Sequence, residues 1–456
     1  MNTGLHVESD LASRKASMRE VLHLAAPIIL SMMSMSVLGM VDTLFMRWVG
    51  PAAQAAVGIA APSSFALTAF FLGILSGLTT FVSQYFGAKR HGEIGQMLWH
   101  SLYIAIALSI LAILIIIPLI RPLLVCMQTN PDILDDTVGY IRVRIASVPW
   151  VFVGFALLSY LRGLGNMKTP AIVSIITIAA NLPFTYLFTF GYGPIPAYGA
   201  VGAAIGTVIS QSIETACYAL VVFSRKSSAQ FHTRTIPKPK LDTFTNFLKI
   251  SLPVGFAWGI EQFGWLATNL YIASLPKEAS AAHAIVFVFM NFCFMPGLAI
   301  SISTTTLVGQ YIGAKNIASA ERSARLSTKL AAGIMIFLSI ILFVCRYAIG
   351  EMFSDDTTVI QIVANLFCFG IVYQIFDAMG VTISGALRGA GDTRFPMIIM
   401  FICMWFVMVP LVFILGNFFE MGIYGAWASM AATISLMGIC YFVRFQRGKW
   451  KTMTIQ

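Results

Sequence analysis

The sequence predicts an all-α integral membrane protein: twelve transmembrane helices in two parallel six-helix repeats. Three observations carry that prediction. Hydrophobic residues make up 58% of the chain and charged residues 11%, where a soluble domain carries roughly 25% charged residues. Apolar runs of membrane-spanning length fill nearly all of the 456 residues. Such runs must be helical, because the bilayer core offers no partners to open backbone. Finally, the chain repeats itself at a constant offset of 226 residues.

The repeat is visible in four blocks. QYFGAK at 84–89 returns as QYIGAK at 310–315. Pro27 in LAAPIIL falls on Pro253 in ISLPVGF. YLRGLGNMKTP, from Tyr160, falls on ALRGAGDTRFP, from Ala386, and YGAVGAAIGT, from Tyr198, on YGAWASMAAT, from Tyr424. One offset without a gap marks an internal duplication.

A polar N-terminal tail (1–20) comes first, with no apolar core or small-residue cleavage site to make it a signal peptide. Six spans follow at 21–48, 55–86, 96–120, 134–161, 170–190 and 198–224, forming an N-lobe over 21–224. A basic linker (225–246) leads to spans at 247–275, 280–312, 326–350, 357–387, 395–416 and 422–444, a C-lobe over 247–444, and then to a short tail (445–456). An even number of spans per half starts both halves on the same side, so the repeats are parallel. If both termini and every second loop share one side, that side holds all of the 29 lysines and arginines except Arg47, Arg121, Arg142, Arg144, Lys277 and Arg346. Both termini are therefore expected in the cytoplasm, and the net charge of +10 is a topology signal, not a nucleic-acid footprint. Both QY-GAK blocks end a second span at that face, where Gly87 and Gly313 are expected to release the helix. Both LRG-G blocks end a fourth span there, with the arginine at the surface. The seven cysteines include no Cys-x-x-Cys, are odd in number, and read as small buried hydrophobes.

The two halves differ in their acids. Asp42, Glu214, Glu261 and Asp377 lie inside spans, and the offset places Thr268, Cys440, Met35 and Val151 opposite them. Packing common to both halves explains none of these acids, and an acid at bilayer depth costs roughly 2.5–3.5 kcal/mol. Glu261 lies 12 residues past Lys249 and Asp377 lies 11 before Arg388, so at ~1.5 Å per residue both stand about 16–18 Å from the cytoplasmic surface. Two carboxylates in one layer can share a cation or trade a proton. Tyr373 is one turn from Asp377 on the same face. A second cluster gathers Asp42, Asn181, Thr185 and Thr207, whose oxygens suit sodium or proton storage, although polar residues in spans often serve only as interhelical ties. Around Glu261, the residues Trp258, Gln262 and Trp265, with Phe287, Met290, Asn291 and Phe294 from span 8, form an aromatic and methionine-rich lining suited to a bulky organic cation. No lysine or arginine is expected at that depth. The chain has no phosphate-binding Gly-x-x-x-x-Gly-Lys-Ser/Thr, no His-Glu-x-x-His and no Gly-x-Ser-x-Gly. The reading is therefore a secondary transporter that is not an enzyme and has no cofactor besides sodium or protons as coupling ion.

MVDTLFMRWVG in span 1, the two QY-GAK blocks, the two LRG-G blocks and YGAVGAAIGT together resemble the multidrug and toxic compound extrusion (MATE) transporters over essentially the whole chain. The resemblance implies two six-helix lobes meeting in a V, and exchange of entering sodium or protons for departing organic cations. Within that family, IEQFGW and VYQIFDAMG place Glu261, Tyr373 and Asp377 as in the NorM-like branch, with sodium a candidate at those three residues. The DinF-like pattern is met only by Asp42 and Asn181, since Thr185 replaces its second Asp. The alternative is a lipid-linked sugar flippase or another carrier of the same superfamily. A flippase for anionic cargo would be expected to line its cavity with arginine. A monomer in a bacterial inner membrane, in contact with lipid and cationic substrates, is expected.

Overall fold

The computed structural model describes residues 11–453 except 128, and their side chains except those of 34–44. The described backbone is helical almost throughout, with one isolated bridge between Tyr192 and Ile195. The first six spans are α1 (Met18–Val49), α2 (Pro51–Gly87), α3 (His91–Cys126), α4 (Pro131–Ala146 with Val148–Gly163), α5 (Lys168–Phe190) and α6 (Gly199–Val222). The second six are α7 (Leu241–Ala273), α8 (Lys277–Gly313), α9 (Ile317–Val344), α10 (Thr357–Ala390), α11 (Arg394–Phe418) and α12 (Gly422–Gln446). Among the described residues, nine of these helices are long and apolar enough to cross a membrane, and α4 is a tenth span bent by 51°. The helices α1 and α7, of 32 and 33 residues, exceed the ~20 residues a bilayer requires and complete the expected twelve.

Local chemistry accounts for the breaks. In α4 the bend falls at Ser147, whose hydroxyl donates to Arg144 O (2.7 Å), just before Pro149. In α11 two π-helical stretches, Ile402–Met408 and Ile414–Phe418, flank the segment holding Pro410. Their wider turns accommodate a residue with no N–H and a ring that crowds the preceding carbonyl. Asn130 caps α4 by accepting from Asp132 N (3.0 Å), Asn316 caps α9 by accepting from Ser319 N (3.0 Å), and Asp356 caps α10 by accepting from Thr358 N (2.8 Å).

The repeated blocks form repeated turns. Gly87 and Gly313 remain helical, contrary to expectation. The left-handed residues are Lys89 (φ 58°) and Lys315 (φ 59°), each closed by a pair of helix-terminating bonds: Arg90 N to Tyr85 O (2.9 Å) with Lys89 N to Phe86 O (3.1 Å), and Asn316 N to Tyr311 O (2.8 Å) with Lys315 N to Ile312 O (2.9 Å). In the LRG-G blocks the second glycines, Gly165 (φ 77°) and Gly391 (φ 89°), do make the turn.

The chain divides into two compact units. One comprises residues up to Ile29 and from Phe256 onward; the other runs from Leu30 to Gly255. In the first unit, the segment before α1 is strapped to the start of α9: Asn316 Nδ2 donates to Leu11 O and Arg14 O (both 2.9 Å), and Ser319 Oγ donates to Arg14 O (2.6 Å). In the second, the segment before α7 lies along α3: Trp99 Nε1 donates to Thr233 O (2.8 Å) and Tyr103 Oη to Pro237 O (3.2 Å). The linker is therefore folded, and it includes a short helix, Arg225–Phe231.

Candidate functional site

The site is assembled on α10, and small residues place that helix. A Cβ on Gly385 would stand 2.5 Å from the carbonyl and hydroxyl oxygens of Ser301, and one on Gly389 2.4 Å from Thr305 O. Glycine alone allows α10 this close to α8. Ser301 Oγ donates to Val381 O (2.6 Å) and Thr305 Oγ1 to Gly385 O (2.9 Å), tying the two helices together.

Tyr373, Asp377 and Arg388 project from this fixed helix. Their spacings of 4 and 11 residues are close to whole turns, so all three fall on one stripe. Helical side chains lean toward the N-terminus, which aims Arg388 back along the stripe toward Asp377. Glu261, on α7, completes the group. Its carboxylate is within electrostatic reach of both Asp377 and Arg388, and Trp265 stands one turn along the same helix. Tyr373 faces Asp377. All four polar side chains are half-buried. Glu261, Asp377 and Tyr373, expected from the sequence to act together, are within electrostatic reach along the series Glu261, Asp377, Tyr373.

Arg388 corrects one expectation. Its motif was read as a surface turn with no cation at depth, yet the side chain turns inward and Nη2 donates to Ser301 Oγ at 3.1 Å. Its counterpart in the other unit, Arg162, behaves likewise and lies within electrostatic reach of Glu214 and Tyr218. Tyr218 Oη donates to Glu214 Oε1 (2.9 Å). Nearby on α5, the Ser174 hydroxyl is 2.6 Å from that of Ser31. Glu214 therefore has a hydrogen-bond partner on its own helix and an arginine of α4 within electrostatic reach. Recurrence of the arginine in both repeats, with its lean along the helix, was the available signal for both arrangements.

The lining residues separate. Trp258, Gln262, Trp265, Phe287 and Phe294 are half-buried, with Trp265 and Phe287 edge-to-face at 5.8 Å. Met290 departs from the expected lining: it is 2% exposed in the core, its sulfur 3.9 Å from Gln374 Nε2. Asn291, one residue on, is exposed. His283, unmarked by any motif, continues the aromatic row. Its ring lies 5.3 Å from that of Phe287, tilted by 32°, its Nδ1 accepts from Trp427 Nε1 (3.2 Å), and its Nε2 lies 3.1 Å from Asn269 Oδ1. That pattern places the proton on Nε2.

In the other unit, Thr185 Oγ1 donates to Asn181 Oδ1 (3.2 Å), both side chains being buried. Thr207 is half-buried and donates to Ala203 O on its own helix (2.9 Å). The side chain of Asp42 lies outside the described residues. Among the described residues no three histidines, cysteines or acids cluster as for a metal.

Comparison with known proteins agrees with this architecture. The MatE family model matches twice, at residues 27–187 and 253–414, once in each repeat, and the two matches begin at the two equivalent prolines. The chain is 27% identical over 442 residues to a probable multidrug resistance protein NorM of Thermotoga maritima, covering 96% of this chain and 94% of that one. It is 25% identical over 414 residues to one of Bacillus cereus, covering 91% of each. Among solved structures, the eukaryotic MATE transporter AtDTX14 superposes with a TM-score of 0.87 at 18% identity, over 95% of this chain and 96% of that one. A MOP superfamily transporter from Pyrococcus furiosus, described as having a binding pocket of reverse polarity, superposes with a TM-score of 0.87 at 19% identity, over 97% and 98%. With both repeats matched and the twelve-helix architecture shared, the chain belongs to the MatE family of membrane transporters.

Proposed function

We propose that the protein is an ion-coupled antiporter that exports lipophilic organic cations, taking in sodium or protons in exchange. One observation carries the reading: the Glu261–Asp377–Tyr373 group, half-buried between helices and walled by Trp265 and Phe287. A lipophilic cation gains Coulombic and cation–π stabilisation at such a site, and an anion is repelled. Loading a carboxylate with a proton or sodium removes the charge that holds the cargo. That unequal affinity is what lets one ligand displace another across a conformational equilibrium. The printed names of the relatives, multidrug resistance proteins, are of the same kind. The acidic character of the group disfavours the flippase alternative with an anionic cargo.

The proposed setting is a bacterial inner membrane with both termini in the cytoplasm, the chain acting as a monomer and requiring no nucleic acid or cofactor. The test is transport in everted vesicles, with proton and sodium gradients imposed separately and an ethidium-type dye as cargo. Dye movement that follows one gradient and stops in E261Q and D377N supports the reading. Transport indifferent to both gradients overturns it.

A further inference from the structure

We propose that His283 is a positioning residue of the site: its imidazole locks α7, α8 and α12 together at one level and so sets the register in which Trp265 and Phe287 wall the acidic group. The inference rests on the reading of the site as one for organic cations, and it adds the residue that holds the wall in place.

The lock is made by three polar side chains from three helices. The indole of Trp427, on α12, can only donate, and its Nε1 lies 3.2 Å from His283 Nδ1. That ring nitrogen therefore accepts, which leaves the proton of the neutral ring on Nε2, 3.1 Å from Asn269 Oδ1 on α7. Trp427 and His283 are both buried, and Asn269 is half-buried. With both ring nitrogens engaged in one tautomer, a slip of any of the three helices leaves a buried polar group unpaired, which costs more than the bond itself contributes. Neither nitrogen is left for an ion or a cargo, so His283 acts on the site through its neighbours.

Those neighbours are set by the register. Asn269 meets His283, and one turn inward on each helix Trp265 meets Phe287, edge-to-face with ring centroids 5.8 Å apart. Residue numbers fall along α7 as they rise along α8, so the two helices run antiparallel and each step of four on one is matched by a step of four on the other. One more step brings Glu261 level with Asn291. The polar rung thus stands two turns from the acid, and the turn between them carries the aromatic pair. The imidazole also touches the wall directly, its ring 5.3 Å from that of Phe287. Apolar and aromatic faces re-pack at small cost and lose their uniqueness of arrangement before they lose stability. The Asn269–His283 bond supplies the uniqueness. Without it the wall is free to shift against Glu261, and a cation–π contact holds only within about 6 Å of a ring centroid.

The experiment compares purified full-length wild type, H283Q, H283L and N269L, with melting temperatures recorded. H283Q keeps one acceptor and one donor on a side chain of similar reach, whereas H283L and N269L keep bulk and lose the rung. The first readout involves no cargo. Nitrogen-15 spectra of histidine-labelled protein, with the His283 signals identified by their disappearance in H283Q, are expected to show a neutral ring protonated on Nε2. A ring protonated on Nδ1, or on both nitrogens, overturns the lock. The second readout is the saturation of gradient-driven efflux of an ethidium-type dye from vesicles. H283L is expected to raise the half-saturating dye concentration at least tenfold while the maximal rate per folded molecule stays within threefold, and H283Q to stay within threefold of wild type in both. N269L is expected to behave as H283L does and replaces it if H283L does not fold. A variant lacking the rung that melts earlier but keeps the wild-type half-saturation assigns His283 to stability alone and overturns the proposal, as does an H283Q as impaired as H283L. If the wild type moves no cationic dye, the antiport reading fails instead, and the spectrum still decides the lock.

Discussion

Asp377→Asn removes one negative charge and almost no volume, so its effect isolates the electrostatic contribution to cation binding. For a cation in contact with the carboxylate at about 4 Å, Coulomb's law gives about 1 kcal/mol in bulk water and about 4 kcal/mol at an effective dielectric near 20. Asp377 is half-buried among protein groups, which places it between those limits, at about 2.5 kcal/mol. At about 1.4 kcal/mol per decade, that is a loss of roughly 60-fold in affinity for a monovalent cation. The assay is a fluorescence titration of an ethidium-type dye against purified D377N and wild type at about 0.15 M ionic strength, paired with an uncharged analogue of similar size. The cationic dye is expected to weaken by one to three decades and the uncharged one to change little. A loss below threefold for the cation, or an equal loss for both dyes, would refute the electrostatic account.

Three further outcomes follow from other contacts. Gly206→Ala would set a Cβ 2.5 Å from Thr185 Cα and N, and is expected to destabilise by about 1–3 kcal/mol through overpacking; an unchanged melting temperature in detergent would contradict the α5–α6 contact. Asn316→Ala removes the α9 cap and both bonds to the strap before α1. It should cost about 1–2 kcal/mol and speed tryptic cleavage at Arg14 and Lys15, and a wild-type digestion rate would count against the strap. Asp42→Asn, expected from the sequence alone to impair efflux, is checked by the same vesicle assay; a variant that only melts earlier while transporting normally assigns Asp42 a structural role.

Much of the architecture was legible because lipid constrains it. Twelve apolar stretches can only be helices, and a constant offset with even span counts can only give parallel repeats. That Glu261 and Asp377 share a depth was readable for the same reason: position along a helix can be counted in residues when the surface is marked by lysines and arginines. What escaped was side-chain direction. Residue counting placed Arg388 at the cytoplasmic end of α10, but a long side chain reaches about a turn beyond its own Cα, and the close α8–α10 packing allowed by the glycines at 385 and 389 brings Ser301 within its reach. Met290 escaped for a related reason. The face defined by Phe287, Met290, Asn291 and Phe294 is broad enough to touch the packed core on one edge and open space on the other, so one stripe contained a buried methionine beside an exposed asparagine. His283 carried no signal, because its partners Asn269 and Trp427 are distant in sequence.

The asymmetry between the repeats has a physical logic. A duplicated helical unit begins with two copies of every polar group, and a group is retained in both copies when packing needs it in both. The glycines and arginine of the LRG-G block meet that condition: Gly163 and Gly389 each sit where a Cβ would strike the neighbouring helix, 2.6 Å from Val82 Cβ and 2.4 Å from Thr305 O. A carboxylate that holds an exchangeable ion meets the opposite condition. It must be unsatisfied by the fold in order to be satisfied by a ligand, and the cost of burying it returns nothing to stability. A fold that keeps its glycines and arginines in both copies while the acids inside its spans differ keeps the framework symmetric and makes the acids specific to one half.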